Sequence, residues 1–284
     1  MSLVVLGDVM VDVLVRVDGP LARGSDTPAR VSFVGGGSGA NVAAWAASIG
    51  TPVALVCRIG DDDRGRVAVD ELLAAGVEVH AGRDPDVATG TCVVLVDESG
   101  ERTMLPDPGA NDTPALVPDA LLRPGGHLHV IGYALVRPGA RPGALAAIER
   151  ARAAGATISL DPSSWALVRP GVFPEVDLLL PNEDEARALG PLRAREVVTK
   201  LGARGARWTD GRTTVEVPAE PVAVVDTTGA GDAFAAGLLS ARLGGAGPRE
   251  ALEAACRLAA RAVAQVGARP GTIDWSVNEG APDA

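Results

Sequence analysis

The sequence predicts an α/β protein: a mainly parallel sheet covered by helices on both faces, with a small separate sheet of four strands. Three observations carry this. From about residue 127, short apolar runs alternate with helix-like stretches, the pattern of parallel strands joined by crossover helices. Glycine-rich turns lead from an apolar run into an alanine-rich helix at 35–41 and again at 226–232. The apolar runs at 9–17, 29–34 and 89–105 form strands without intervening helices.

Taken in order, residues 2–8 (SLVVLGD) read as a buried strand closed by glycine. Valines at 9, 11, 13, 15 and 17 then alternate with other residues, the period of a two-faced strand. Asp12 lies in this apolar segment and needs a partner; a ligand hydroxyl and plain solvation both remain open. After the short strand 29–34, Gly35 to Asn41 lead into VAAWAASIG, a helix ending at Gly50. The glycines do not fall at G-x-G-x-x-G, and no lysine and hydroxyl follow them, so neither a dinucleotide fingerprint nor a P-loop is present. A strand at 51–60 is followed by GDDDRG and a helix ending near Gly76. Asp61, Asp62 and Asp63 stand at that helix start, where carboxylates complement the dipole, rather than as a metal site. Residues 89–105 alternate as a hairpin around Glu98 to Glu101, and the Pro/Gly-rich stretch 106–126 connects the two layers.

The regular part follows, with strands expected at 127–133, 156–161, 176–181, 195–202 and 222–226. Helices are expected near 141–154, 183–190, 232–243 and 248–266. Ligands of such sheets bind at the carboxyl ends of the strands. Asp161, Asn182, the 200–205 loop and Asp226 fall at those ends.

The chain has 284 residues, 47% of them hydrophobic and only 3% aromatic, enough for a large core packed by alanine, valine and leucine. Its net charge of −10 argues against a general nucleic-acid binder. Cys57, Cys92 and Cys256 are too few and too far apart for a disulfide framework or a metal motif, which suits a reducing cytosol. Asp8 and Asp12 interrupt the N-terminal apolar run, so neither a signal peptide nor a membrane span is expected, and the expected location is cytoplasmic.

The most informative stretch is 222–239, VAVVDTTGAGDAFAAGLL. An apolar run ends at Asp226, a glycine turn follows, and Asp232 opens a helix. Such a junction aims backbone N–H groups and the positive end of the helix dipole at one spot. Asp232 there either caps the helix or receives a proton beside a bound anion; the stretch alone leaves both open.

Together, GGSGAN at 36–41 and DTTGAGDAFAAG at 226–237 resemble the two signatures of the ribokinase-like (PfkB) carbohydrate kinases. GDDDRG at 60–65, PNEDE at 181–185 and TKLGARG at 199–205 agree in order, so the resemblance spans nearly the whole chain. It implies a three-layer α-β-α fold with a four-stranded β lid. The body would comprise 1–8, 36–88 and 106–275, the lid 9–35 and 89–105, and residues 276–284 would form a disordered tail. It implies an ATP-dependent kinase with Asp232 as base and an anion hole of Gly229, Ala230, Gly231 and Asp232. Asp12, Gly36, Gly37 and Asn41 would hold the acceptor. Asn182, Lys200, Gly202, Gly205 and Cys256 would line the nucleotide, and Glu185 would hold Mg2+ through water. Asp226, Thr228 and the turn at 267–271 resemble the monovalent-cation loop of potassium-activated members.

The chemistry asks for this arrangement independently, since phosphoryl transfer needs positioning and neutralisation of developing charge. A lid excludes water, and its uncovered apolar face implies a homodimer through the lid. The acceptor stays open: Tyr133, Arg137 and Arg102 are candidates to select it, and no membrane or nucleic-acid partner is expected. A nucleoside kinase on the same fold and a catalytically silent sugar-binding protein are the alternatives. A dinucleotide-dependent oxidoreductase is disfavoured by the glycine spacing.

Overall fold

The computed structural model describes residues 3–98, 100–191 and 193–271. The expected disordered tail, 276–284, lies outside them.

Strands and helices succeed one another in chain order. The first part comprises β1 (Leu3–Leu6), β2 (Met10–Val17), β3 (Ala29–Gly36), α1 (Ser38–Ser48), β4 (Val53–Gly60), α2 (Asp63–Ala74), β5 (Glu78–Asp84), β6 (Thr91–Val96) and β7 (Arg102–Asp107). The second comprises β8 (His127–Ile131), the single turn α3 (Tyr133–Val136), α4 (Arg141–Ala153), β9 (Thr157–Asp161), β10 (Val176–Leu179), α5 (Glu183–Leu189) and β11 (Ala194–Lys200). The last comprises β12 (Ala206–Thr209), β13 (Thr214–Val217), α6 (Ala230–Leu243) and α7 (Pro248–Val263).

Nine strands form one sheet in the order β13-β12-β11-β10-β9-β8-β1-β4-β5. It is parallel from β11 through to β5 and antiparallel only where β12 and β13 extend its edge. The strand order reverses at β1, which lies between β8 and β4, so the crevice outside the carboxyl ends of β1 and β8 is the place where this topology binds ligands. Alternate residues of β1 enter different cores. Leu3 and Val5 pack with α1, α6 and α7, while Val4 and Leu6 pack with the α4 side. That two-sided burial explains why the strand reads as a continuous apolar run.

The second sheet, β3-β2-β6-β7, is a separate four-stranded layer. Met10, Cys92 and Val94 form its buried cluster, joined by Leu14 and Val96. The pairing register puts Val13, Val15, Val31, Phe33, Leu95 and Leu105 on the opposite face. Phe33 is 64% exposed and Leu105 55%.

Four expectations change. Residues 222–226 form no strand: the edge of the sheet is already taken by the β11–β12–β13 meander, so this β-prone run has no partner strand. The N–H groups of Val225 and Asp226 donate to Val263 O instead, and Val224 and Val225 face solvent. β5 was not anticipated, because EVHAGRD is a polar edge strand without an apolar signature. β12 and β13 hide in a turn-rich stretch that looks like loop. Finally, Gly35 and Gly36 belong to β3 rather than to the turn. Only Gly37 (φ 93°) makes the strand-to-helix turn, as the residue preceding α1.

Candidate active site

The site is where the turns before α1 and α6 meet. Both helices are rich in alanine and pack against each other, which brings their two N-termini to one place. Gly229 (φ 74°) is the N-cap of α6, and a Cβ there would lie 2.4 Å from Ala268 O, so only glycine fits. The helix begins at Ala230, two residues earlier than expected. Asp232 therefore does not cap it but stands third in its first turn. Among the described residues, the N–H groups of Gly231 and Asp232 have no acceptor, which leaves two donors at the positive end of the helix.

Asn41, from the first turn of α1, donates through Nδ2 to Asp232 Oδ2 at 2.8 Å. The orientation of its amide is set from the other side. Arg269 Nε donates to Asn41 Oδ1 at 3.3 Å, and Arg269 Nη2 donates to Gly36 O at 2.8 Å. The glycine pair explains itself here. A Cβ at Gly36 would meet Asp12 Oδ1 at 2.3 Å, and one at Gly35 would meet Arg269 Nη1 at 2.0 Å, so the glycines make room for these two side chains. Gly37 would meet Asp8 O at 2.6 Å. Asp12 is buried and its carboxylate lies against Gly36. Burial pushes its pKa up to about 6 against the opposing pull of Arg269.

A fixed cation completes the centre. Lys200, the last residue of β11, places Nζ 2.6 Å from Asp161 Oδ2 and 3.5 Å from where a Cβ on Gly231 would stand. Burial pushes its ammonium toward neutrality, but Asp161 and Glu185 outweigh that and hold it charged. Asp232 is subject to the same balance in reverse: burial raises its pKa to about 7, with Asp161 and Asp8 adding to the rise and Asn41 and Lys200 opposing it. A carboxylate poised near neutrality beside free N–H donors and a lysine can take a proton while an anion is held next to it.

Asn182 and Glu185 form a capping box on α5, with Asn182 N donating to Glu185 Oε2 and Glu185 N to Asn182 Oδ1, both at 2.8 Å. Asn182 is bridged to Lys200, and Glu185, which is almost fully buried, has its pKa raised by burial. Gly202 and Gly205 shape the turn after β11, and a Cβ on Gly205 would fall 2.0 Å from Val217 O. Cys256 is packed in the α7 core, with its thiol pushed up to about 11 by burial, so its side chain can contribute shape but not charge. Asp226 Oδ1 accepts from Thr228 N at 2.7 Å, Oδ2 accepts from Gly267 N at 2.9 Å, and Arg102 of β7 pairs with Oδ1. Beyond the carboxyl end of β1, a small open pocket is lined by Gly7, Asp8, Arg58 and Arg137. Arg137 stacks over Tyr133 with 4.8 Å to the ring centroid.

Arg269 escaped sequence reasoning, and although Asp161 and Arg102 stood among the candidates, their pairing with Lys200 and with Asp226 did not emerge from the sequence. A single arginine among small residues in GARPG carries no sequence signal, and both ion pairs join segments far apart in the chain.

Because the pKa of Asp232 is raised in the folded state, the protonated form is the one folding favours. Its contribution is fully present below about pH 4 and is lost as pH rises through about 7. Asp232→Asn should therefore be more resistant to urea than the parent chain at pH 8, by on the order of a few kcal/mol, with the gap closing at pH 4. Equal stabilities at pH 8 would show that the carboxylate is not under this strain.

The family model for the pfkB family carbohydrate kinases matches residues 1–275. An ATP-dependent ribose-1-phosphate kinase from Halopiger xanaduensis is 34% identical over 279 residues, covering 93% of this chain and 92% of that one. The adenosine kinase of Sinorhizobium meliloti superposes with a TM-score of 0.81 at 25% identity, covering 95% of each chain. A ribokinase II-like protein of Escherichia coli, solved with ATP and Mg2+, superposes with a TM-score of 0.81 at 23% identity over 96% of each chain.

Proposed function

The chain belongs to the pfkB family of carbohydrate kinases, and from that premise we propose that it transfers the γ-phosphoryl group of ATP to a hydroxyl of a small carbohydrate, with Asp232 as the base. It has the ribokinase-like fold and is an ATP-dependent kinase. The observation that carries the mechanistic reading is the bond from Asn41 to Asp232, which puts a carboxylate of raised pKa between the acceptor-side turn and the open N-terminus of α6.

In this reading the acceptor lies against Asp12, Gly36, Gly37 and Asn41, which hold its hydroxyls. Asp232 takes the proton of the attacking hydroxyl as the new O–P bond forms and the bond to the β-phosphate oxygen breaks, releasing ADP. The N–H groups of the turn from Gly229 to Asp232 receive the charge on the transferring group, and they do so without reorganising. Lys200, held charged by Asp161, adds a cation at the same place. The turn of Gly202 and Gly205 and the capped start of α5 at Asn182 border the nucleotide, with the helix around Cys256 behind it.

The residues present fit Mg2+. Glu185 is a buried acid with one oxygen engaged in its cap and the other free of any bond among the described residues. Magnesium usually keeps several waters and needs only one or two protein carboxylates. When bound there it would supply positive charge against the phosphates of ATP.

The small sheet acts as a lid over the acceptor, carrying Asp12 on its inner face and keeping out water that would compete for the phosphoryl group. Its outer face, with Phe33, Val31 and Leu105, is an apolar surface of the kind that covers itself with a second copy, so the working form in this reading is a homodimer through the lid.

The test of the activity is ADP release from Mg-ATP across neutral pentoses and hexoses, sugar phosphates, sugar acids and nucleosides. Turnover with at least one sugar is expected. Turnover with nucleosides alone would move the assignment to a nucleoside kinase, and binding of sugars without turnover would make the chain a silent binder. Sedimentation at micromolar concentration should give a dimer, and a monomer there would remove the lid interface.

A further inference from the structure

The residues that resemble a monovalent-cation loop are already engaged within the chain. The side chain of Asp226 is only 3% exposed. One of its oxygens accepts from Gly267 N, the other accepts from Thr228 N, and the guanidinium of Arg102 closes on that second oxygen. Thr228, the other expected ligand, gives its N–H to the same carboxylate. The set is therefore a satisfied buried acid with a cation in place, and it does not fit a metal ion that would need Asp226 as a ligand.

We propose that Arg102 is the resident cation of this loop, a positioning residue that does from the lid what a monovalent ion would do from solution. A buried carboxylate needs a compensating charge, and a guanidinium supplies it with directed hydrogen bonds. What Asp226 organises then depends on Arg102. The carboxylate ties the turn leading to α6 to the 267–271 turn through Gly267 N. That second turn packs Ala268 against Gly229, with Ala268 O also held by Trp45 Nε1 at 2.9 Å. It also supplies Arg269, which orients Asn41 toward Asp232. A break at Arg102 would thus loosen the anion-binding turn and the orientation of the base together. Arg102 also belongs to β7 of the small sheet, so this charge reaches Asp226 only while that sheet lies against the body. Closure and completion of the transfer turn become one event.

The kinetic arm of the test rests on the kinase reading; the stability arm does not. Thermal unfolding and turnover are compared in KCl, NaCl and tetramethylammonium chloride at equal ionic strength. For the parent chain the unfolding midpoint and kcat are expected to be the same in all three salts. Arg102→Ala should lose about tenfold to a hundredfold in kcat, with a smaller change in KM for ATP, the effect of removing one charged hydrogen bond. Low millimolar guanidinium or K+ should restore part of that loss, and K+ should raise the unfolding midpoint of this variant alone. Arg102→Lys, which keeps the charge, should stay indifferent to the salt. A parent chain whose midpoint or turnover rises several-fold with K+ would overturn the proposal, as would an Arg102→Ala variant with full kcat and no salt dependence. If no acceptor gives turnover, the midpoints in the three salts still decide whether Arg102 occupies the cation's place.

Discussion

The hydrogen bond from Asn41 to Asp232 joins residues 191 positions apart, and most of the site exists to make it possible. One partner lies in the first turn of α1, the other in the first turn of α6. They meet because the two alanine-rich helices pack against each other and because each is preceded by a glycine in the left-handed region. A larger residue at Gly37 or Gly229 would strike Asp8 or Ala268 backbone and push the turns apart. Arg269 then fixes which end of the Asn41 amide faces Asp232. The two glycine turns and the close packing of the two helices serve a single juxtaposition.

Around that bond the electrostatics are arranged as opposed pairs. Asp8, Asp12, Asp161 and Asp232 converge on a region the fold has largely removed from water, and Lys200, Arg269 and Arg137 are cations set against them. The carboxylates do not share these cations equally. Asp161 holds Lys200 at 2.6 Å, whereas Asp232 has a neutral amide as its hydrogen-bond partner. Asp232 is therefore the acid whose charge is least compensated, and its pKa lies near 7. A proton acceptor next to an anion site is useful only if it is not permanently neutralised by its neighbours, and this distribution secures that.

The parallel body was legible because strands buried on both faces leave continuous apolar runs, and the four-stranded layer because period-two segments came without helices. The glycine turns were legible as strand-to-helix junctions, Asp232 stood out at the second of them and Asp12 as an acid in an apolar strand, whereas Asn41 entered only through the family resemblance. Propensity misled at 222–226, where valines suggest a strand but the sheet edge is already occupied. It was silent for β5, β12 and β13, whose pairing is decided by neighbours rather than by their own composition. Arg269, the Asp161–Lys200 pair and the Arg102–Asp226 pair could not be read at all, since each depends on which distant segments the fold brings together. Sequence periodicity carries burial, whereas the partner of a charge is a tertiary fact.

The central claim is that Asp232 receives the acceptor's proton while the N-terminus of α6 holds the transferring group. It is tested most directly by measuring kcat for Asp232→Asn with a substrate sugar, together with its affinity for ATP. Asparagine keeps the size and the bond from Asn41 but cannot accept the proton, so kcat should fall by about 10²–10⁴ while ATP binds as before. A variant that turns over at the parental rate would show that the proton goes elsewhere and that Asp232 is only part of the helix start.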